Sequence, residues 1–211
     1  MARYTGPLCR MCRVEQKKLM LKGSRCMSDK CPINKKRAAP GKDPKGRIGK
    51  RSEYGIQLRE KQKIRRMYGM LEKQFRLTFE HALRMPGVTG ENLIRLLEAR
   101  LDNAVYRMKF AMSRNQARQL VLHGHIRVNG KKVDIPSYQV KPGDVIEVKE
   151  KSKRLALVQS SLSEITKSGT MPWVSVDVDA VKGTFAQYPQ RAEVTDLADV
   201  KEQLVVELYS K

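Results

Sequence analysis

Four cysteines near the start of the chain are the residues whose type and spacing most directly suggest chemistry. They follow the pattern C-x2-C-x13-C-x4-C, which places a close pair on each side of a loop: Cys9, Cys12, Cys26 and Cys31. Four thiolates close a tetrahedral zinc site, and each short pair supplies two ligands from one turn. We therefore expect one structural zinc ion with no open position for catalysis. Two buried structural pairs and redox-active cysteines are the alternatives.

A second candidate group lies near the middle of the chain. Ser113 and Gln116 form a capping-box pattern that opens a short helix, on which Arg114 and Arg118 are one turn apart. A cation in the first turn of a helix opposes the helix dipole unless an anion docks there. No acid lies between Ser113 and Lys132 to balance these charges. The pattern favours phosphate binding, with a solvated basic face as the alternative.

Asn129-Gly130 predicts a β-hairpin just beyond this helix, because both residue types tolerate the positive φ of a type I′ turn. Further cations flank its tip and others are spread along the first third of the chain. We expect the following residues to contact phosphate groups of the partner: Arg3, Arg10, Arg13, Lys22, Lys35, Lys36, Arg59, Lys63, Arg66, Arg114, Arg118, Arg127, Lys131 and Lys132.

The elements that position these residues are predicted to be helices first and strands later. Residues 52–85 read as two helices with Ser52 as N-cap and a break near Gly69, and residues 91–111 read as a third. Strands are predicted at 126–128, 131–133, 145–148 and 173–178, and a closing helix within 196–206. The expected fold class is α+β: a helical domain, a small mixed α/β module, and a zinc-knuckle extension at the N-terminus.

The charge of the chain restricts what its partner can be. It has 43 Lys+Arg against 22 Asp+Glu, a formal net charge of +21. Residues 1–51 hold 16 cations and 3 acids, whereas residues 156–211 hold 5 and 8. So large and uneven an excess indicates a polyanion that meets the first three-quarters of the chain. No apolar run is long enough to span a bilayer and no secretory signal is recognisable, so we expect no membrane partner and an intracellular location.

An enzyme is the first alternative class, and the sequence gives little support for one. Neither a phosphate-binding G-x4-G-K-[ST] loop nor an H-E-x-x-H metal motif is present. The histidines are His81, His123 and His125, of which the last two fall at a predicted helix–strand junction. A phosphate or backbone contact suits them better than catalysis. We expect no enzymatic activity and no small-molecule substrate. A regulatory RNA-binding protein outside the ribosome is the second alternative.

Several short motifs resemble a small RNA-binding module shared by ribosomal, pseudouridine synthase and tyrosyl-tRNA synthetase families. They are Arg100-Leu101-Asp102, Ser113-Arg114, Ala117-Arg118, Val128-Asn129-Gly130-Lys131, Pro136-Ser137 and Gly143-Asp144. The flanks narrow the resemblance: Met1-Ala2-Arg3-Tyr4-Thr5-Gly6-Pro7, Tyr54-Gly55-Ile56-Gln57-Leu58-Arg59-Glu60-Lys61-Gln62, Gly90-Glu91-Asn92-Leu93, Pro172-Trp173 and Val206-Glu207-Leu208-Tyr209-Ser210. With them, essentially the whole chain resembles bacterial small-subunit ribosomal protein four, and the cysteines resemble its zinc-bearing branch.

That resemblance implies a domain layout. Residues 1–51 would be a zinc-binding basic extension and residues 52–90 a helical domain completed by the C-terminal segment. Residues 91–155 would be the RNA-binding module, and residues 156–211 a strand and a segment packing back on the helical domain. It further implies a structural constituent of the small subunit, in the cytoplasmic ribosome. The chain would be a primary binder of the 5′ domain of 16S rRNA that nucleates assembly.

The resemblance also implies contacts with ribosomal proteins five and three of the small subunit, beside the entrance of the mRNA path, and a contribution to translational accuracy. The residues singled out for mRNA are Arg47, Lys50 and Arg51, in the glycine-interrupted stretch 45–51. Mobile backbone ahead of a fixed helix suits electrostatic holding of a passing single strand. The alternative is that these three cations bind rRNA like their neighbours.

Overall fold

The computed structural model describes residues 3–41, 49–163 and 169–210. In it the chain forms two compact units. The first comprises the chain up to Leu93 together with the segment from Asp196, and the second runs from Ile94 to Thr195. The first unit is helical and the second combines helices with an antiparallel sheet, which confirms the predicted α+β class. Within the described ranges, no helix combines the length and the apolar character needed to cross a bilayer.

The helices of the described residues are α1 (Leu8–Glu15), α2 (Ser24–Met27), α3 (Glu53–Met67), α4 (Glu72–Arg84), α5 (Thr89–Glu98), α6 (Leu101–Arg107), α7 (Arg114–Leu122), α8 (Glu150–Lys153), α9 (Ala156–Leu162) and α10 (Glu202–Tyr209). The strands are β1 (Ile126–Val128), β2 (Lys131–Lys132), β3 (Val145–Val148), β4 (Val174–Asp177) and β5 (Lys182–Phe185). Short 3-10 turns occupy Arg191–Glu193 and Thr195–Leu197.

Local chemistry sets the bounds of α3. Ser52 is its N-cap, and the Ser52 hydroxyl accepts a hydrogen bond from the Gly55 N–H at 3.2 Å, as predicted. The helix ends at Met67, and Gly69 adopts a φ of 64° that redirects the chain into α4. The predicted break between the two helices is therefore confirmed, with glycine providing the left-handed residue that the reversal requires.

The C-terminal helix α10 completes the hydrophobic core of the first unit by packing on α3. Gln57 Nε2 donates a hydrogen bond to Glu207 Oε2 at 3.0 Å, which joins the two helices through polar groups. The ring of Tyr209 stacks on Phe79 with 4.6 Å between centroids, and its hydroxyl donates to Glu72 Oε1 at 3.0 Å. Burial, reinforced by the Glu72 carboxylate, raises the pKa of Tyr209. These contacts hold together segments far apart in sequence.

The predicted third helix over 91–111 is wrong in one respect, because the chain forms two helices there. Arg100, between α5 and α6, has extended backbone angles (φ −67°, ψ 137°) and forms a β-bridge with Gln139. The Val140 N–H donates to the Ala99 carbonyl at 2.7 Å. The Leu101 N–H donates to the Tyr138 carbonyl at 2.8 Å. Hydrogen bonds to a distant segment thus replace the helical ones that the local pattern favours.

The second unit contains a five-stranded antiparallel sheet in the order β2-β1-β3-β5-β4. The strands at the predicted hairpin and at 145–148 and 173–178 are confirmed in position, while β5 was not predicted. β5 joins the sheet by pairing with β3 on one side and β4 on the other. Gly183 in β5 lies against Met108, since an added Cβ would come within 2.7 Å of the Met108 sulfur.

The second compact unit extends beyond the predicted RNA-binding module. The predicted module ends at residue 155, whereas the second unit extends to Thr195. The difference arises because β4 and β5 pair with β3, directly or through each other, and because Trp173 and Phe185 are fully buried. Only the segment from Asp196 joins the first unit.

Candidate nucleic-acid interface

The β1–β2 hairpin presents three of the predicted phosphate-binding cations. Its turn residues Asn129 and Gly130 have φ values of 50° and 77°, as the predicted turn requires. Arg127 and Lys132 are cross-strand partners. Lys131 and Lys132 are exposed, and Arg127 is half-buried. Like charges opposite one another destabilise a strand pair, but Arg127 also faces the acid Glu147 across β1 and β3. The exposed cations of this hairpin that remain for a partner are therefore Lys131 and Lys132.

Polar contacts brace the turn of this hairpin. Asn129 Nδ2 donates to Asp144 Oδ1 at 2.8 Å, and the Val145 N–H donates to Asn129 Oδ1 at 2.9 Å. The Lys141 N–H donates to the other Asp144 oxygen at 2.8 Å. The Asn129 side chain therefore ties the turn to the neighbouring strand. A braced turn fixes where the hairpin cations stand before any partner arrives.

Arg114 and Arg118, predicted to contact phosphate from one face of α7, are largely buried. Arg114 is 8% exposed, its Nε donates to Asn103 Oδ1 at 2.8 Å, and its guanidinium lies 4.6 Å from the centroid of the Tyr106 ring. Arg118 is 7% exposed and lies 3.4 Å from Asp102 Oδ2. The capping contact itself is present, from the Gln116 N–H to Ser113 Oγ at 3.4 Å. The two arginines hold α7 against α6, so the alternative of a solvated basic face is wrong, and phosphate contact by these residues stays a prediction.

Asp102, the acid that pairs with Arg118, belongs to a buried ionic network. Arg100 makes a two-point contact with Asp102, at 3.1 and 2.7 Å. Arg107 makes another with Glu98, at 2.8 and 2.7 Å. All four side chains are at most 5% exposed. Buried charges are tolerated only when they are paired and hydrogen-bonded, so these residues have a structural role. Sequence reasoning missed the pairing because Asp102 lies on the preceding helix.

Three predicted rRNA contacts on α3 are likewise engaged within the chain. Arg66 and Arg59 both face the Glu15 carboxylate of α1, Arg59 at 3.5 Å, and Lys63 pairs with Glu60. Burial raises the pKa of Glu15, although the neighbouring Arg66 and Arg59 oppose the shift. Each of the three cations remains partly exposed. Arg59 and Arg66 attach the N-terminal extension to the helical domain. Phosphate contact by the exposed parts of all three cations stays a prediction.

The extension carries the remaining predicted rRNA contacts. Arg3, Arg10, Lys22, Lys35 and Lys36 are all exposed. Arg13 is half-buried, and one of its guanidinium nitrogens donates to the Ala38 carbonyl at 3.3 Å. The extension itself is folded around buried Leu19 and Leu21. Its exposed cations are therefore carried on an ordered support.

Three of the four cysteines, Cys12, Cys26 and Cys31, are buried, and Cys9 is half-buried. Burial raises the pKa of Cys12, a backbone hydrogen bond at Leu19 opposes the shift, and the other three cysteines add to it. Burial also raises the pKa of Cys26, whose sulfur accepts a hydrogen bond from the Lys22 N–H at 3.3 Å. The four sulfurs are thus close enough for their charges to interact.

The four cysteines fit a metal ion by the type of their donor atoms, but their arrangement in the structure does not form a metal site. Four thiols with mutually unfavourable thiolate charges are a donor set that a dication would neutralise. In residues 3–41, 49–163 and 169–210, however, no three His, Cys, Asp or Glu side chains are arranged to hold a metal ion. Zinc therefore stays a prediction.

Two of the three residues predicted to contact mRNA can be located. Lys50 and Arg51 are exposed just before α3, whose first turn is fixed by the Ser52 cap. Arg47 lies outside the described residues. Because they are exposed, Lys50 and Arg51 could bind a polyanion. That this polyanion is mRNA and not rRNA stays a prediction.

Cations that the sequence pattern did not single out follow β3. Lys149 and Arg154 are exposed at the two ends of α8. The signal that could have found them is the run Lys149–Arg154, which holds a single acid, Glu150. Nearby, His125 Nδ1 lies 2.8 Å from Ser152 Oγ. Burial, together with the charges of His123 and Lys149, lowers the pKa of His125.

Comparison with known proteins matches nearly the whole chain. Residues 3–98 match the family described as ribosomal protein S4/S9 N-terminal domain, and residues 99–146 match the S4 domain family. Proteins named small ribosomal subunit protein uS4 from Citrifermentans bemidjiense and from Geobacter sp. strain M21 are each 56% identical to it over 211 residues. That of Thermodesulfovibrio yellowstonii is 54% identical. In all three cases the alignment covers 100% of both chains.

Proposed function

The chain belongs to the small ribosomal subunit protein uS4 family, and from that premise we propose that it is a primary binder of the 5′ domain of 16S rRNA, acting early in subunit assembly. Membership of this family makes it a structural constituent of the small ribosomal subunit, located in the ribosome, and not an enzyme. The binding of this rRNA domain and the timing in assembly are the proposed part.

The observation that carries the proposal is the braced β1–β2 hairpin. Arg127 and Lys132 stand opposite each other across its two strands. Arg127 also faces the acid Glu147 on β3, whereas Lys132 makes an exposed pair with Asp134 at 3.6 Å that does little to neutralise its charge. A phosphate backbone would make favourable contacts with the exposed Lys131 and Lys132 and would release condensed counterions. The exposed cations of the extension would add further phosphate contacts.

The test is the affinity of the full chain for a transcript of the 5′ domain, measured over a range of salt concentrations. Replacing Lys131 and Lys132 with Ala should weaken binding. It should also lower the slope of log K against log salt by roughly one unit per cation removed. Lys182→Ala is the matched control, because Lys182 is an exposed lysine of the same sheet within the acidic C-terminal quarter. Equal affinity and equal slope in the hairpin variant and the control would contradict the proposal.

We also propose that the four cysteines, Cys9, Cys12, Cys26 and Cys31, hold one zinc ion that stabilises the folded extension. The support is their spacing, the burial of three of them, and the electrostatic interaction among their sulfurs. Thiols whose pKa values are raised must lose protons on binding, so zinc addition should acidify a weakly buffered solution. Native mass spectrometry should find one bound ion, lost when Cys26 and Cys31 are replaced with Ser. Equal protease resistance of the first 35 residues with and without metal would contradict the proposal.

Contacts with mRNA and with ribosomal proteins five and three of the small subunit complete the proposed function, with a contribution to translational accuracy. Lys50 and Arg51 are exposed ahead of a capped helix, which suits a passing strand that is held but not read. The acidic balance of residues 156–211, 8 acids against 5 cations, suits a surface that faces proteins. Co-sedimentation with small subunits after a high-salt wash would separate a ribosomal role from that of a free regulatory RNA binder.

A further inference from the structure

A groove in the second unit lies between the C-terminal half of α7 and the first turn of α9. It has a volume of about 400 Å³, within the range of pockets that hold small organic groups. Its floor is apolar and consists of Leu120, Leu155 and Leu157. Leu155 and Leu157 are 38% and 36% exposed, although both side chains are large and apolar. The groove thus offers a patch of apolar surface that an inserted group would cover.

The rim of the groove supplies ring faces and hydrogen-bonding groups. Gln119, His123 and His125 line it, and the two imidazoles lie 6.0 Å apart. Gln116 also lines it, and no donor in the described part of the chain reaches its buried Oε1. A flat group with an apolar face and an N–H edge would match these features. Nucleobases have this combination, and RNA-binding proteins place unstacked bases against imidazole and other ring faces.

The charges beside the groove indicate the same kind of ligand. Gly124 stands between His123 and His125 in the sequence, and the Lys132 side chain lies against it. A Cβ added at Gly124 would be 2.5 Å from Lys132 Cε. The Lys149 N–H donates to the His125 carbonyl at 2.8 Å, and Arg154 directly precedes Leu155. Among the residues that the structure describes, those lining the groove include no acid. A bound nucleotide could therefore place its base in the apolar groove and its phosphates beside the neighbouring cations.

We propose that this groove receives one unpaired nucleobase of the bound rRNA, with Lys132, Lys149 and Arg154 holding the adjoining phosphates. This inference rests on the proposed rRNA binding and adds to it a site that reads a base. Phosphate contacts position a protein on RNA, whereas a seated base makes the complex depend on the presence of an unpaired nucleotide at one place. The groove would thus fix the register of the chain on its RNA.

The first test blocks the groove. Ala156 is an exposed lining residue at the start of α9, so Ala156→Trp should fill the space. Affinity for the 5′-domain transcript should fall about tenfold, the scale of one stacked base, with an unchanged salt slope because no cation is removed. Leu77→Trp is the matched control, an added Trp on a 48% exposed position of α4. Unchanged affinity in the Ala156 variant would overturn the inference.

A second variant addresses the chance that the added ring perturbs folding. Replacing Leu155 and Leu157 with Ala removes the floor without adding bulk. In both variants, one unpaired base that the wild-type chain protects from dimethyl sulfate or carbodiimide should become reactive. The protections of the ribose–phosphate backbone should persist. Identical base protections in the wild type and both variants would overturn the inference.

The remaining outcomes distinguish this inference from the function on which it rests. A photo-crosslinking residue at position 157, introduced into intact small subunits, should attach to RNA. Attachment to a protein would overturn the inference and leave rRNA binding standing. If the wild-type chain failed to bind the transcript, the proposed function would fail and this inference with it. If it bound normally and Ala156→Trp bound equally well, the inference alone would fail.

Discussion

Asp102 offers the sharpest test of whether the arginines of α7 serve the fold or the RNA. Its carboxylate meets Arg100 at 2.7 and 3.1 Å and Arg118 at 3.4 Å, and all three residues are at most 7% exposed. Asp102→Ala would leave two buried cations without their shared carboxylate. Removing one partner of a buried ion pair costs about 3–5 kcal/mol.

This cost converts into a measurable change in thermal stability. For a domain of 150–250 residues, about 1 kcal/mol shifts Tm by about 2–4 °C, so Asp102→Ala should lower Tm by about 6–20 °C. Thermal and urea unfolding followed by circular dichroism would both report the loss. Asp134→Ala is the control, because Asp134 makes an exposed pair with Lys132 and its removal should change stability by less than about 1 kcal/mol.

A single result would refute this reasoning. If Asp102→Ala were as stable as the wild type, and Arg118→Glu weakened RNA binding while leaving Tm unchanged, then Arg118 would face the RNA. The buried pairing of α6 with α7 would then be wrong. The structure leads us to expect the opposite: Arg118→Glu should itself unfold readily, because it would bring a second buried carboxylate next to Asp102.

Further predictions concern the C-terminal helix, the N-terminal extension and the mRNA contacts. Burial tends to raise the pKa of Glu72, but hydrogen bonds from Lys61 and Tyr209 lower it below its usual value. The ionised Glu72 therefore stabilises the fold at neutral pH, and this stabilisation is lost as the pH falls below about 4.5. Tyr209→Phe should cost about 1 kcal/mol and flatten the acid limb of a stability–pH curve; an unchanged curve would contradict the contact. Glu15 has a raised pKa, so its contribution to stability should diminish as the pH rises from 4.5 toward that raised value. Glu15→Gln should abolish this slope in urea titrations, and a persisting slope would assign it to another group. Small subunits with Ala at positions 47, 50 and 51 should assemble at the normal rate but stall more on messages with stable hairpins; an assembly defect without stalling would assign these cations to rRNA.

Features that depend on neighbours in sequence could be predicted from the sequence. Ser52 caps α3 because its hydroxyl reaches an N–H three residues away. Asn129-Gly130 forms the hairpin turn because both residues accept positive φ. The family, too, can be inferred from the amino-acid sequence, because short motifs along the whole chain carry the resemblance.

Features that depend on residues far apart required the tertiary structure. The absence of acids between Ser113 and Lys132 in the sequence favours an open basic face, yet Arg118 is paired with Asp102, sixteen positions earlier on another helix. Likewise, α5 ends where Ala99 and Arg100 bond to the chain near Gln139, a contact that no helical periodicity encodes.

The strand β5 illustrates the physical reason for this division. Its sequence, Lys182-Gly183-Thr184-Phe185, has weak strand propensity, with a glycine in its interior. It is extended because β3 and β4 offer hydrogen bonds on both edges and because Gly183 admits the Met108 side chain. Helix caps and turns depend on interactions between residues a few positions apart, so the sequence alone determined them here. Ion pairs, strand partners and grooves are settled by whatever the folded chain brings within a few ångströms, and only the tertiary structure decided those.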